Sequence, residues 1–491
     1  MSSFPKLILI SFDGFRYDLL NETMTPNIYK WASRSTWFTN GSRSQYVTNT
    51  APNHMSIVTG LYEIDHGIVA NYFYDTTTGK FFDYFNLTKK KGVVNESLDI
   101  SWYSKEPIWL TNEKSNSSRR SASFYWPNAE APFPTHPHRP SFYKTWTAYG
   151  NLSDWMNDVD DIVDLFLREN DPVNFVLWYL AEPDHTLHLN GFFNGELRKK
   201  IRQLDQLFGY FIAKFQSSHL ENSVNIILTA DHGHSQIDSV KNIMCVRDYI
   251  TSEGYDIGDH MIYPHSEDLA LELYRNISNA VKTLGYKVNV FLKEDVPARL
   301  FYSNSTRIGR IVIEPHIGWA ASLSCTKEQL LQTYNAGEIG FNSSSHGMDP
   351  DHKEMRALLV VGGPSIISEV PNNIDLYSLM CHLLSFPAAP NNSSMSVVGK
   401  ALLQHHFSQP IMDTSDHAEF FLLFVAFLLI VMILAMCMPW KTKISDHRIM
   451  NRKEHRFLLT DCCCTKDAYD TDSDFLIPKG NSRGTISEDE F

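Results

Sequence analysis

KLILISFDG, residues 6–14, decides the fold. The run is nearly continuous in apolar residues rather than alternating, and it ends in an acid, Asp13. Continuous apolar character suits a strand buried on both faces, as in a mainly parallel sheet. NFVLWYLAEPD (174–184), NIILTADHG (225–233) and RALLVVGGP (356–364) repeat the pattern. Helical patterns lie between them, LSDWMNDVDDIVDLFLREN (152–170) and GELRKKIRQLDQLFGYFIAKFQ (195–216). Asn151 or Ser153 could cap the first of these. Strands alternating with helices predict an α/β sandwich, with a central mostly parallel sheet flanked by helices. Residues 81–145, rich in aromatics and proline, and residues 245–320 read as insertions outside that sheet.

The polar residues at the strand ends carry the chemistry. Three of the four runs end in acid: Asp13, Asp184, and Asp231 followed by His232. In open α/β sheets ligands bind at the carboxyl ends of the strands, so three carboxylates are expected on one rim. One such Asp reads as a loop cap; three at equivalent places read as a metal cluster. PDHTLH sets His188 four residues after Asp184, close enough for both to hold one ion, and SSSHGMD offers His346 on a glycine-containing loop. Asp and His without Cys suit zinc in a catalytic role. Two such ions could clamp a phosphoryl group during in-line displacement. The hydroxyl of a loop residue could complete one coordination shell and become a nucleophile, and a Thr of TNTAPNHMS (48–56) fits that need.

Bulk properties narrow the class. The 491 residues carry 43% hydrophobic and 20% charged residues, with a net charge of −13 and a pI near 5.8. An acidic chain gains nothing from counterion release, so nucleic acid is not an expected partner. FFLLFVAFLLIVMILAMCM (420–438) is apolar and uncharged, long enough for a bilayer core. Lys441, Lys443 and Arg448 follow it and Asp413, Asp416 and Glu419 precede it, which predicts a single-pass type I cell-membrane protein with residues 1–419 outside. Eleven Asn-X-Ser/Thr triplets, from Asn21 to Asn392, all precede this segment. MSSFPKLILISFDG does not read as a signal peptide, so a signal is expected to be missing from this sequence. Cys462, Cys463 and Cys464 read as palmitoylation sites or as a solvated thiol run, and Cys437 lies in the span. Cys245, Cys325 and Cys381 cannot all pair internally, so the fold must rest on its core, and their pairing stays open.

LISFDGFRYD, NTAPNHMSIVTGLYEIDHGIVAN, EPIWLTN, LAEPDHTLH, TADHGH and HGMDP…MRALLVVGGP, in this order over about residues 6–400, resemble the ectonucleotide pyrophosphatase/phosphodiesterase family of the alkaline phosphatase superfamily. The absence of an appended nuclease-like domain resembles its smaller membrane-anchored members. The resemblance implies an alkaline phosphatase-like sandwich and two zinc ions per catalytic domain. It implies that Thr50 is the nucleophile, that Asp13, Thr50, Asp231 and His232 hold one zinc, and that Asp184, His188 and His346 hold the other. It makes Asn71 a ligand of the phosphate oxygen and sets Tyr149 against the substrate base. His54 and His66 read as supporting residues, and neither His185 nor His234 receives a role. The implied domains are a phosphodiesterase catalytic domain over 1–405, a stalk over 406–419, a transmembrane helix over 420–439 and a cytoplasmic, disordered tail over 440–491.

The implied reaction is two-step hydrolysis of extracellular ATP, ADP, NAD or dinucleoside polyphosphates to nucleoside monophosphates. Thr50 attacks phosphorus, the leaving group departs, and water then frees the threonine. Three positions depart from the family pattern. Ala51 stands where nucleotide-cleaving members carry an aromatic, Leu187 replaces a glycine before His188, and Met348 replaces an aromatic. None removes an implied ligand. Ala51 favours one alternative, a choline-lipid phosphodiesterase; a surface binding protein without catalysis is the other, and the complete ligand set argues against it.

Overall fold

A computed structural model describes residues 4–84, 98–134, 139–146, 149–251, 253–334, 343–365 and 373–394. Its centre is one seven-stranded sheet. The strands are β1 (Lys6–Phe12), β2 (Thr36–Trp37), β3 (Ser121–Phe124), β4 (Phe142–Lys144), β5 (Phe175–Leu180), β6 (Val224–Thr229) and β7 (Leu359–Gly362), in the order β2-β7-β6-β1-β5-β3-β4. β1 pairs in parallel with β5 and β6, and β5, β3 and β4 continue parallel. β7 runs antiparallel to both its neighbours. An apolar run alone carries no direction, which is why the sequence pattern of 356–364 could not distinguish it from the other three.

Alternate residues of each central strand enter two different cores, because successive side chains point to opposite faces. Leu7, Leu9, Leu177, Ile227 and Leu359 join one core, and Ile8, Ile10, Trp178, Leu228 and Val360 the other. The first face is covered by the helices Thr50–Thr59, Ile108–Ser115 and Asp375–Leu383. The second is covered by Pro26–Ala32, Leu152–Leu167 and Glu196–Ser217. Asn151 caps Leu152–Leu167, accepting from the N–H groups of Ser153 and Asp154 in a capping box. The expected α/β sandwich is therefore present.

Two expectations need correction. Residues 81–145 do not lie wholly outside the sheet, because Ser121–Phe124 and Phe142–Lys144 are its edge strands. They are four and three residues long, too short to show a period in sequence. The expected type I cell-membrane location is also corrected. No helix among the described residues is long and apolar enough to cross a membrane. The longest, Glu196–Ser217, carries Arg198, Lys199, Lys200 and Arg202 in its first turns. Residues 406–419, 420–439 and 440–491, which carried the stalk, span and tail, lie outside the described residues.

Residues 245–320 hold a second, smaller sheet. Tyr255–Ile257, Met261–Pro264, Ile311–Pro315 and Val288–Leu292 form an antiparallel sheet backed by the helix Glu267–Leu284. Cys245 and Cys325 form a disulfide across 80 residues, and Cys381 is free and buried. Closing so long a loop restricts the unfolded chain, so Cys245→Ser should cost about 2–5 kcal/mol. Denaturant unfolding of the oxidised protein and the variant would read this as a lower midpoint; equal midpoints would assign the bridge no part in stability.

Candidate active site

β1 lies between β5 and β6, all three parallel, so their carboxyl ends share a rim. Asp13 follows β1, Asp184 lies four residues beyond β5, and Asp231 and His232 follow β6. β7 runs the other way, so the chain before it reaches the same rim and brings His346. The acids expected from the strand ends are thus assembled by strand direction alone.

Two groups result. Asp13, Asp231 and His232 form the first, all buried, with ligand atoms within 4.8 Å of one another. Tyr179 donates to Asp13 Oδ2 at 2.5 Å, and the Gly14 N–H to Asp231 Oδ1 at 3.1 Å. Gly14 has φ +66°, and a Cβ there would come within 2.9 Å of Asp184 Cβ, so the turn needs glycine. His232 Nδ1–H donates to the Gly233 carbonyl at 3.0 Å, which leaves Nε2 as a bare acceptor. Nε2 lies 3.1 Å from Asp231 Oδ2 and 3.6 Å from Asp13 Oδ1. Among the described residues none of these three atoms has a hydrogen-bond partner. Burial raises the Asp13 carboxyl well above its usual range, helped by Asp231 and Asp184, and pushes Asp231 up to about 7. Burial also lowers His232 to about 3, so its imidazole is neutral. Two carboxylates and a neutral imidazole converging in a buried site are costly in the ionised form, and a cation at their meeting point offsets that cost for all three together. The residues therefore fit a metal ion.

The second group is Asp184, His232, His234 and His346, again with ligand atoms within 4.8 Å. His188 sits beside it, one helical turn after Asp184 in the helix Asp184–Asn190, with Nε2 3.5 Å from Asp184 Oδ2 and 3.0 Å from His346 Nε2. His346 Nδ1–H donates to the Thr48 carbonyl at 2.7 Å, leaving its Nε2 bare as well. Leu187 is fully buried in the core and does not carry His188 away from Asp184. The Met348 side chain is buried in a small core with Ile237, Cys245, Leu330 and Met355.

Thr50 is the first residue of the buried helix Thr50–Thr59. Its loop touches both groups. Thr48 binds His346 and also receives the Gly347 N–H on Oγ1 at 2.9 Å. His54 receives nothing from solvent; its Nδ1–H donates to the Thr50 carbonyl at 2.8 Å and lies 3.5 Å from Asp231 Oδ2. Burial lowers His54 to about 3. The helix start is a natural anion site, because its first N–H groups have no intrahelical acceptor. Pro52 removes one of them, and the Ala51 N–H goes to Asn71 Oδ1 at 2.8 Å. Among the described residues the Thr50 N–H is the one left uncommitted, and Asn71 is held with its Nδ2 group as the remaining donor of its amide. His66 accepts the Ile68 N–H at 3.1 Å and contacts Ser56 at 3.1 Å, away from both groups.

Tyr149 lies in a separate cavity of about 200 Å³, lined also by Tyr125, Trp146, Trp155 and Tyr179. Tyr179 links that cavity to Asp13. The Tyr149 ring stacks on His185 at 3.8 Å.

Three contributors were not legible in the sequence. Asp259 accepts the N–H groups of Asn71 and Tyr72 at 2.8 and 3.0 Å and the Asn49 amide at 3.0 Å, all on one oxygen, and so fixes both residues around Thr50. Ser344 and His234 meet across the pairing of Ser343–Ser345 with Ser235–Ile237, whose register sets Ser345 opposite Ser235. That pairing joins segments more than 100 residues apart, and no local signal announces it.

Comparison with known proteins follows the same lines. The family model for type I phosphodiesterase / nucleotide pyrophosphatase matches residues 7–349. The bis(5'-adenosyl)-triphosphatase of Mus musculus is 30% identical over 407 residues, covering 80% of this chain and 81% of its own length. Ectonucleotide pyrophosphatase/phosphodiesterase family member 5 of Homo sapiens is 30% identical over 406 residues, covering 79% and 76%. Among solved structures, murine ectonucleotide pyrophosphatase/phosphodiesterase 5, an inactive threonine-to-alanine variant in complex with AMP, superposes with a TM-score of 0.70 at 29% identity, over 81% of this chain and 100% of that one.

Proposed function

The chain belongs to the type I phosphodiesterase / nucleotide pyrophosphatase family and is a hydrolase of phosphoric diester or anhydride bonds; from that premise we propose that its catalytic domain, residues 1–405, cleaves dinucleoside polyphosphates and related nucleotides to nucleoside monophosphates through a covalent bond to Thr50. The observation that carries this reading is the buried helix start at Thr50, tied through Thr48 to His346 and through His54 to the Asp231 group. A relative named for bis(5'-adenosyl)-triphosphate and a neighbour bound to AMP support the nucleotide as substrate.

Asp13, Thr50, Asp231 and His232 would hold one zinc ion, and Asp184, His188 and His346 the other. A zinc ion held there would supply positive charge against the phosphoryl group and would lower the pKa of a bound hydroxyl. The chain's own residues do the rest. Thr50 Oγ forms a bond to phosphorus as the bond from phosphorus to the leaving nucleotide oxygen breaks. The Thr50 N–H and Asn71 Nδ2 receive the charge on the non-bridging oxygen. Water then attacks the same phosphorus, the threonine oxygen leaves and regains its proton, and the nucleoside monophosphate departs. Tyr149 is available to face the base from the neighbouring cavity.

A second reading, phosphorylcholine release, draws on Ala51 and on the aromatics Tyr125, Trp146, Tyr149 and Trp155, which could face a quaternary ammonium. The acids of that cavity are already engaged. Asp158 pairs with Lys144 at 2.7 Å, Glu182 with Lys200 at 2.9 Å, and Asp154 accepts the Asn151 N–H at 3.0 Å. The nucleotide is therefore favoured. The full chain with zinc should cleave diadenosine triphosphate and the nitrophenyl ester of TMP but not nitrophenyl phosphorylcholine. Cleavage of the choline ester alone would overturn the reading. Asn71→Ala should lower kcat by about 10²–10³-fold with KM within a few-fold, as for loss of an oxyanion donor. A rise in KM alone would make Asn71 a binding residue only.

A further inference from the structure

We propose that His234 is a direct ligand of the ion held by Asp184, His188 and His346, giving that position four protein ligands. The proposal rests on the two-metal reading above and extends it to a residue that the resemblance leaves without a role.

The argument is one of hydrogen-bond accounting. His234 is fully buried. The Ser344 hydroxyl donates to the Leu187 carbonyl at 2.8 Å, so its oxygen faces His234 Nδ1, 3.2 Å away, as an acceptor. Nδ1 therefore carries the imidazole proton and Nε2 a lone pair. That lone pair points at Asp184 Oδ1, in direct contact. Two electron pairs do not face each other in a buried site without a positive centre between them. A second proton on His234 is one candidate, but the ring is surrounded by His188, His232 and His346, with centroids 5.0, 5.6 and 5.0 Å away. Those imidazoles present bare Nε2 atoms or lie within reach of Asp184 themselves, so an ion serves all of them where a proton serves one. A ligating His whose other nitrogen is held by an acceptor is also the usual arrangement at metal sites. The backbone reinforces it: the Arg16 guanidinium donates to the His234 carbonyl at 3.0 Å, and Gly14 leaves the space that the ring fills.

Four protein ligands make this position more closed than a three-ligand catalytic site. The ion there should be retained more tightly than its partner, and its exchange should be slow.

Three variants of the full chain separate ligation from a hydrogen bond. His234→Gln keeps a donor for Asp184 but ligates poorly, His234→Cys offers a thiolate and no imidazole proton, and His234→Leu offers neither. Zinc content, chelator competition and the visible spectrum of the cobalt-substituted protein are measured for each. Ligation predicts that Gln and Leu weaken one of the two ions at least about tenfold and alter the cobalt bands, while Cys keeps the affinity and adds a sulfur charge-transfer band. Wild-type affinity and an unchanged cobalt spectrum in Gln would overturn the proposal in favour of a positioning residue. Should the variants not fold, a crystal of zinc-loaded wild-type protein decides it: Nε2 at about 2.0–2.1 Å from zinc supports ligation, and a longer separation overturns it. A wild-type chain that binds fewer than two ions defeats the two-metal reading itself, which is distinct from loss of the His234 bond alone.

Discussion

Thr50→Ala should lower turnover of diadenosine triphosphate by about 10⁴–10⁶-fold, the scale at which removing a nucleophile abolishes covalent catalysis. The reason is local. In the proposed mechanism Thr50 supplies the attacking oxygen, and no other hydroxyl of the described loop stands at the helix start: Thr48 Oγ1 donates to the Met348 carbonyl at 3.0 Å and receives the Gly347 N–H. The alanine methyl keeps the helix start and the Thr50 N–H, so stability should change by no more than about 1 kcal/mol, as for a substitution that breaks no core packing. Binding of AMP should survive, as it does in the inactive threonine-to-alanine form of murine ectonucleotide pyrophosphatase/phosphodiesterase 5. Thr50→Ser should keep a large part of the rate. Steady-state assays with isothermal titration of AMP check all three. Loss of AMP binding in Thr50→Ala would show that Thr50 acts through the fold rather than through its oxygen.

Removal of the proposed metal ions should have the second large effect, and it should be visible without an assay. Chelation should abolish turnover, and zinc should restore it. The sharper signature is the pH dependence of stability. In the metal-free protein, burial raises Asp13 well above its usual range and Asp231 to about 7. These two carboxyls then hold more protons in the folded state than in the unfolded chain between about pH 4 and 7, so their contribution to stability falls as pH rises through that window, while the buried neutral His54 and His232 contribute with the opposite sign in both the chelated and the zinc-loaded protein. A bound cation makes the ionised carboxylates the preferred form, and the fall disappears. The melting temperature of chelated protein should therefore drop from pH 4 to 7 relative to zinc-loaded protein. Parallel curves for the two forms would mean that Asp13 and Asp231 do not share a cation.

Much of this site is written in short stretches of sequence. The four apolar runs locate three parallel strands and one antiparallel neighbour, and because parallel strands end on one rim, Asp13, Asp184 and Asp231 had to meet. Asp184 and His188 meet because four residues are one helical turn. What the sequence withheld depends on contacts between distant segments. Asp259 reaches Asn71 from the 245–320 insertion, His234 reaches Ser344 through a two-stranded pairing, and the edge strands 121–124 and 142–144 are too short to carry a pattern. The choice of partner for Cys245 was open for the same reason, since three cysteines permit several pairings and only the fold selects Cys325.

The central claim is that Thr50 carries the nucleoside monophosphate between the two steps. Acid quenching within the first turnover on diadenosine triphosphate, followed by mass spectrometry of the proteolysed chain, tests it directly. The account predicts one adenylyl group on the peptide containing Thr50, rising and then decaying as AMP appears. An unmodified Thr50 at every quench time while AMP accumulates, or an adenylyl group on another residue, would contradict it.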